Sequence, residues 1–95
     1  MLDVGSRVIA LMEADVEGKV IKSFGEGVYA GDFLLPPEYN YGQINPRIDL
    51  DNGKTVWGCE SWWGPADVIR KMYVGWKWEV VDIDEHRRGQ EKENP

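Results

Sequence analysis

The chain has one cysteine, Cys59, and one histidine, His86, among its 95 residues. A single thiol excludes an internal disulfide framework and any Cys-x-x-Cys metal site. A Cys–His or Ser–His catalytic pair would need His86, which lies in a C-terminal stretch without apolar residues. No apolar run approaches the ~18–20 residues of a membrane span. The start, Met1-Leu2-Asp3-Val4-Gly5, lacks both the basic region and the apolar stretch of a signal peptide. Neither GxxxxGK[ST] nor GxGxxG is present, so no nucleotide fingerprint and no cofactor is expected. Basic residues are also few: 11 Lys and Arg face 17 Asp and Glu, a formal charge of −6. Such a field repels polyanions and disfavours duplex DNA. Residues 84–95 hold four acids and three bases, net −1, which leaves −5 on residues 1–83. Together these absences fit a cytoplasmic protein with no membrane attachment.

What is present is globular: 42% hydrophobic and 29% charged residues in a length that makes one domain. The pattern along it is mainly β. Arg7–Met12 is an apolar, partly β-branched strand. Glu13–Gly18 is a polar turn, and Lys19–Phe24 is a second strand. Its residues Val20, Lys22 and Phe24 share one face, with Ile21 and Ser23 on the other. Gly25-Glu26-Gly27 interrupts the pattern as a tight turn or bulge, and Val28–Ala30 forms a short further strand. Residues 35–46 carry three of the five prolines and no period, which marks a long loop. Arg47–Leu50 and Lys54–Cys59 flank Asp51-Asn52-Gly53, where Asn-Gly predicts a two-residue hairpin turn. Pro65–Tyr73 reads as one short amphipathic helix, with Pro65 at its first position and a Val68, Ile69, Met72, Tyr73 stripe. Trp76–Ile83 is the last strand. Residues 84–95 are expected to be a disordered, charged tail.

The fold class expected is therefore mainly β, with five or six short antiparallel strands and one short α-helix at about 65–73. Three segments, Val4-Gly5-Ser6-Arg7-Val8, Glu17-Gly18-Lys19-Val20 and Ile48-Asp49-Leu50-Asp51-Asn52-Gly53-Lys54, share a rhythm with SH3-like small barrels of the Tudor, KOW and CAP-Gly type. The chain resembles that group over about half its length. The resemblance implies a single barrel-like domain over 1–83, and a module that binds rather than catalyses. The groove motif of CAP-Gly domains is absent, and both the 35–46 loop and the helix depart from the pattern. The small, acidic, Trp-rich format also looks like the short accessory proteins of bacteriophages.

Five Trp and four Tyr are the informative feature. Adjacent Trp62 and Trp63 cannot both point inward along an extended segment. One is expected at the surface, where Trp and Tyr dominate binding hot spots. The candidate binding residues are Trp57, Trp62, Trp63, Tyr39, Tyr41, Glu60 and Arg47. Glu60 among aromatics would make a pocket for a partner's cation. Asp49, Asp51, Thr55, Trp57 and Glu60 follow part of an EF-hand spacing, but the glycine is displaced and flanking helices are missing, so no metal site is assigned. Cys59 is expected as a small core residue. No catalytic residue is assigned.

Three functions follow as expectations. The first is a non-enzymatic protein-binding module acting through an exposed aromatic and acidic surface, as a phage-type modulator or inhibitor of a host protein would. The second is a small-ligand or nucleotide pocket with the 35–46 loop as lid and Arg47 or Lys54 contacting an anion. The third is single-stranded nucleic-acid binding, with aromatics stacking bases. Exposed aromatics also permit a homodimer.

Overall fold

The computed structural model of the chain describes residues 2–39 and 42–93. Six strands form one sheet: β1 (Arg7–Asp15), β2 (Val20–Leu34), β3 (Ile44–Leu50), β4 (Thr55–Trp57), β5 (Trp62–Pro65) and β6 (Lys77–Val80). Helix α1 (Ala66–Met72) joins β5 to β6, and α2 (Ile83–Glu93) follows β6. The sheet order is β4-β3-β2-β1-β5, all antiparallel, and β6 adds to β2 in parallel. The mainly β expectation holds, with the helix where the sequence placed it. The sheet does not close into the barrel that the SH3 resemblance implies. Among the described residues β4 and β5 each keep one strand neighbour, and β6 extends the sheet beside β2 instead of bridging its ends.

The open sheet follows from the length of β2. Gly25 and Gly27 do not end this strand; it runs on for 15 residues. Gly25 takes φ +121°, a conformation open to glycine, and the register with β1 shifts there. Ser23 Oγ donates to the Ala10 carbonyl at 3.1 Å and accepts from the Gly25 N–H at 2.9 Å, which fixes the irregularity. One edge of β2 follows β1. The other carries β6 along residues 20–23 and β3 along residues 27–34. At the second junction a Cβ on Gly27 would lie 2.2 Å from the Asp49 carbonyl oxygen, so only glycine allows β2 and β3 to approach there.

The bend gives the sheet two cores, one on each side. Val8, Ala10, Phe24, Ile48, Leu50 and Val56 pack with Ile83 at the start of α2. Ile9, Leu11 and Ile21 pack under Ala66 and Ile69 of α1. The period-2 pattern of β1 is thus split between them, and each fully buried aliphatic contributes roughly 1.5–3 kcal/mol.

Several local expectations are corrected. The β3–β4 connection is a three-residue loop, not a two-residue one. The Leu50 N–H bonds the Lys54 carbonyl at 2.8 Å and the Gly53 N–H bonds the Leu50 carbonyl at 3.0 Å. Gly53 has φ +89° and Asn52 has no positive φ, the pattern of a type I turn closed by a glycine bulge. The 35–46 loop is shorter than expected because Ile44, Asn45 and Pro46 already pair with Leu34, Phe33 and Asp32. Pro65 caps α1 in an extended conformation rather than opening its first turn. On α1 the inward residues are Ala66, Ile69 and Tyr73, while Val68 and Met72 face out. The last strand stops at Val80. The tail expected over 84–95 is helical through Glu93, since Ile83 is fully buried and anchors α2 to the first core. Asn94 and Pro95 lie outside the described residues.

Candidate functional site

Trp62 and Trp63 occupy consecutive positions of β5, opposite Leu11 and Ala10 of β1. Strand alternation sends them to opposite faces. Trp63 stacks on Tyr29 with ring centres 5.5 Å apart and planes 16° apart. Trp62 faces solvent with 72% of its surface exposed. It borders a concavity of about 390 Å³ lined by Leu11, Met12, Glu13, Ala14, Val16 and Tyr73. β5 pairs with β1 only through Leu11, and no strand covers that edge of β1 beyond it among the described residues. The groove floor is therefore apolar and one wall is a free strand edge, with Glu13 in its lining, Asp15 at the end of β1 and Glu17 in the β1–β2 turn. Glu13 is paired with Lys22 at 3.2 Å, and Asp15 Oδ1 accepts the Gly18 N–H at 3.1 Å.

Tyr39, Trp57 and Glu60 come together elsewhere. Trp57 is buried, and Tyr39 meets its ring edge-on at 6.5 Å. Glu60 lies in the 3-10 turn after β4, and its Oε1 accepts the Trp57 N–H at 3.1 Å. The carboxylate foreseen for a cation is paired within the chain, by Arg87. Arg87 Nε donates to Glu60 Oε2 at 2.8 Å and its Nη2 donates to Oε1 at 2.7 Å. The same Nη2 donates to the Thr55 carbonyl at 2.8 Å. Burial pushes the Glu60 carboxyl up, but the bonds from Arg87 and the Trp57 N–H outweigh it, so the net direction is down. Burial, then the Glu60 carboxylate, pushes the Tyr39 hydroxyl up to about 12. Glu60 and the Thr55 carbonyl thus hold Arg87, and with it α2, on the sheet.

Arg47 is engaged within the chain as well. Its guanidinium lies 4.3 Å from the Phe33 ring centre and its Nη2 donates to Asp49 Oδ2 at 3.3 Å. Lys54 Nζ donates to both Asp82 oxygens, at 2.8 and 2.9 Å, and lies 3.1 Å from Asp84. Both cations foreseen for an anion are therefore neutralised by carboxylates. Tyr41 lies outside the described residues. Cys59 is corrected from a core residue to an exposed one in the 3-10 turn. Partial desolvation of its sulfur and the nearby Glu60 carboxylate push the thiol up. His86 packs against Phe24 with ring centres 5.2 Å apart.

Tyr39 and Glu60 line a second concavity of about 390 Å³ with Gln43 and Cys59, while Trp62 is the candidate that stands exposed beside an apolar one. Met12, Ala14, Val16 and Tyr73 belong beside it and were not selected from the sequence. One signal was available: Val16, 73% exposed, is an apolar residue inside an otherwise polar turn. No helix among the described residues is long and apolar enough to cross a membrane. Comparison with family models, with characterised proteins and with solved structures finds no match to this chain.

Proposed function

We propose that this chain is a non-enzymatic protein-binding module that takes an extended apolar segment with basic flanks into the groove beside Trp62. The observation that carries the reading is the exposure of Trp62, 72%, at the rim of an apolar concavity next to an unpaired stretch of β1. A large aromatic left in water beside a groove is the usual form of a binding anchor. The free edge of β1 would give main-chain hydrogen bonds to an added strand, and the groove would take its alternate side chains. Asp15 and Glu17 would favour Lys or Arg flanking the apolar residues and set orientation more than affinity. A modulator or inhibitor of a host protein, of the kind small phage accessory proteins provide, would act through this surface.

The test is selection of a random peptide library on the purified chain, followed by titration of enriched peptides against wild type and Trp62→Ala. Apolar–basic sequences whose affinity falls ~30-fold or more in the variant support the reading. No enrichment, or equal binding to both proteins, overturns it.

A further inference from the structure

Strand β6 has the sheet on one side only. Val20, Ile21, Lys22 and Ser23 of β2 face Lys77, Trp78, Glu79 and Val80 in parallel, and no strand pairs with the opposite edge among the described residues. Lys77 N–H bonds the Lys19 carbonyl at 2.9 Å and Val81 N–H bonds the Ser23 carbonyl at 2.8 Å. Backbone groups alternate along a strand, so Lys77, Glu79 and Val81 point at β2. Trp78 and Val80 therefore present their N–H and C=O groups outward. Their side chains share the face that carries Trp76. Val80 is 80% exposed, Val74 79% and Trp78 38%, and all three line a shallow groove of about 530 Å³. Lys77 and Glu79 alternate with them, 72% and 42% exposed at their side chains, with Nζ 3.5 Å from Oε1.

From this edge we infer that a second copy of the chain pairs with the first through β6, antiparallel, with Trp78 of each copy on the two-fold axis. The register follows from which groups are free. In an antiparallel ladder, residues that face each other as a hydrogen-bonded pair must both point outward, which leaves Trp78 and Val80. Placing Trp78 opposite Trp78 sets Lys77 of each copy opposite Glu79 of the other. That is a pair without ladder bonds, where side chains lie closest, roughly 4.5 Å between Cα atoms. Slipping by two residues would set Glu79 against Glu79 or Lys77 against Lys77, and like charges directly opposite are destabilising. Placing Val80 opposite Val80 would set Glu79 against Val81 and make no opposite-charge pair, so charge favours the Trp78 register. In it Trp78 and Val80 of both copies join into one apolar strip, and a two-fold makes the contact closed and self-complementary. A four-residue ladder is small beside the ~1,200 Å² of a standard interface, so association is expected near 0.1–1 mM.

The test is sedimentation equilibrium of the full chain from about 10 µM to 1 mM, with Lys77→Glu, Glu79→Lys and the double exchange run in parallel. Wild type should be dimeric at the upper end. Each single exchange puts like charges opposite one another and should weaken association tenfold or more. The double exchange should restore it. Amide exchange at Trp78 and Val80 should slow with concentration in wild type. Trp62→Ala, on the opposite edge of the sheet, should dimerise normally, which separates this contact from the groove proposed above. Wild type monomeric at 1 mM, a dimer indifferent to the single exchanges, or a dimer lost in Trp62→Ala would each overturn the inference.

Discussion

Arg87 on α2 and Glu60 in the turn after β4 form a two-point ion pair, with both donor–acceptor distances under 3 Å and the Glu60 side chain 11% exposed. This pair joins the last helix to the sheet. It also neutralises the one carboxylate in the 3-10 turn after β4.

Removing either side should therefore loosen α2. Arg87→Ala leaves a mostly buried carboxylate with the Trp57 N–H and the Tyr39 hydroxyl but no cation, and Glu60→Gln removes the charge but keeps an acceptor. The pair lies between an exposed one and a buried one, so Arg87→Ala is expected to cost about 1–3 kcal/mol and Glu60→Gln less. Urea unfolding followed by tryptophan fluorescence measures both. Equal stability of Arg87→Ala and wild type would exclude the anchoring role.

The same pair sets an acid limit. The folded-state pKa of Glu60 is depressed, so its stabilisation is complete above the unfolded value of ~4.3 and is lost as pH falls through the folded value. Asp51, held down by Arg7, and Asp82, held down by Lys54, act in the same direction. Unfolding free energy should decline below about pH 4, and the decline should be shallower in Glu60→Gln than in wild type. A profile unchanged by that substitution would show that Glu60 does not contribute.

Phe24 and Trp62 should behave oppositely. Phe24 is 1% exposed between β3, α2 and His86, and its truncation to Ala is expected to cost about 3–5 kcal/mol. Trp62→Ala should change stability by no more than ~0.5 kcal/mol, since the side chain stands in water. A large loss in Trp62→Ala by urea titration would mark Trp62 as a packing residue and weaken its use as a binding anchor.

Two glycines separate space from backbone strain. Alanine at Gly27 would drive its Cβ to 2.2 Å from the Asp49 carbonyl and 2.7 Å from Leu50 Cα, so more than about 3 kcal/mol should be lost. Alanine at Gly53 meets nothing within 4 Å but must hold φ +89°, which costs about 1–2 kcal/mol. Thermal melts of the two variants should rank them in that order.

Sequence reading reached the elements whose cause is local. Turn chemistry at Asp51-Asn52-Gly53 located the β3–β4 hairpin, and the proline before Ala66 located α1. Alternation alone required Trp62 and Trp63 to part. At Gly25-Glu26-Gly27 it allowed a turn or a bulge, and the irregularity is there, but it missed that β2 runs on through it, because the close approach of β3 that needs Gly27 involves residues more than twenty positions away. It left α2 as a tail, since its anchoring contacts, Ile83 in the first core and Arg87 on Glu60, are long-range.

Composition and strand period thus determined by themselves that the chain is mainly β, acidic and single-domain in scale, with one tryptophan of the Trp62–Trp63 pair turned outward. These depend on side-chain chemistry and on the two-residue repeat of a strand. Tertiary structure decided that the sheet stays open, that Glu60 and Arg47 are occupied within the chain, and that Trp62 borders a groove while Trp57 is buried. Those outcomes depend on how a bent β2 divides its edge between β3 and β6, a packing relationship that no local window of sequence contains.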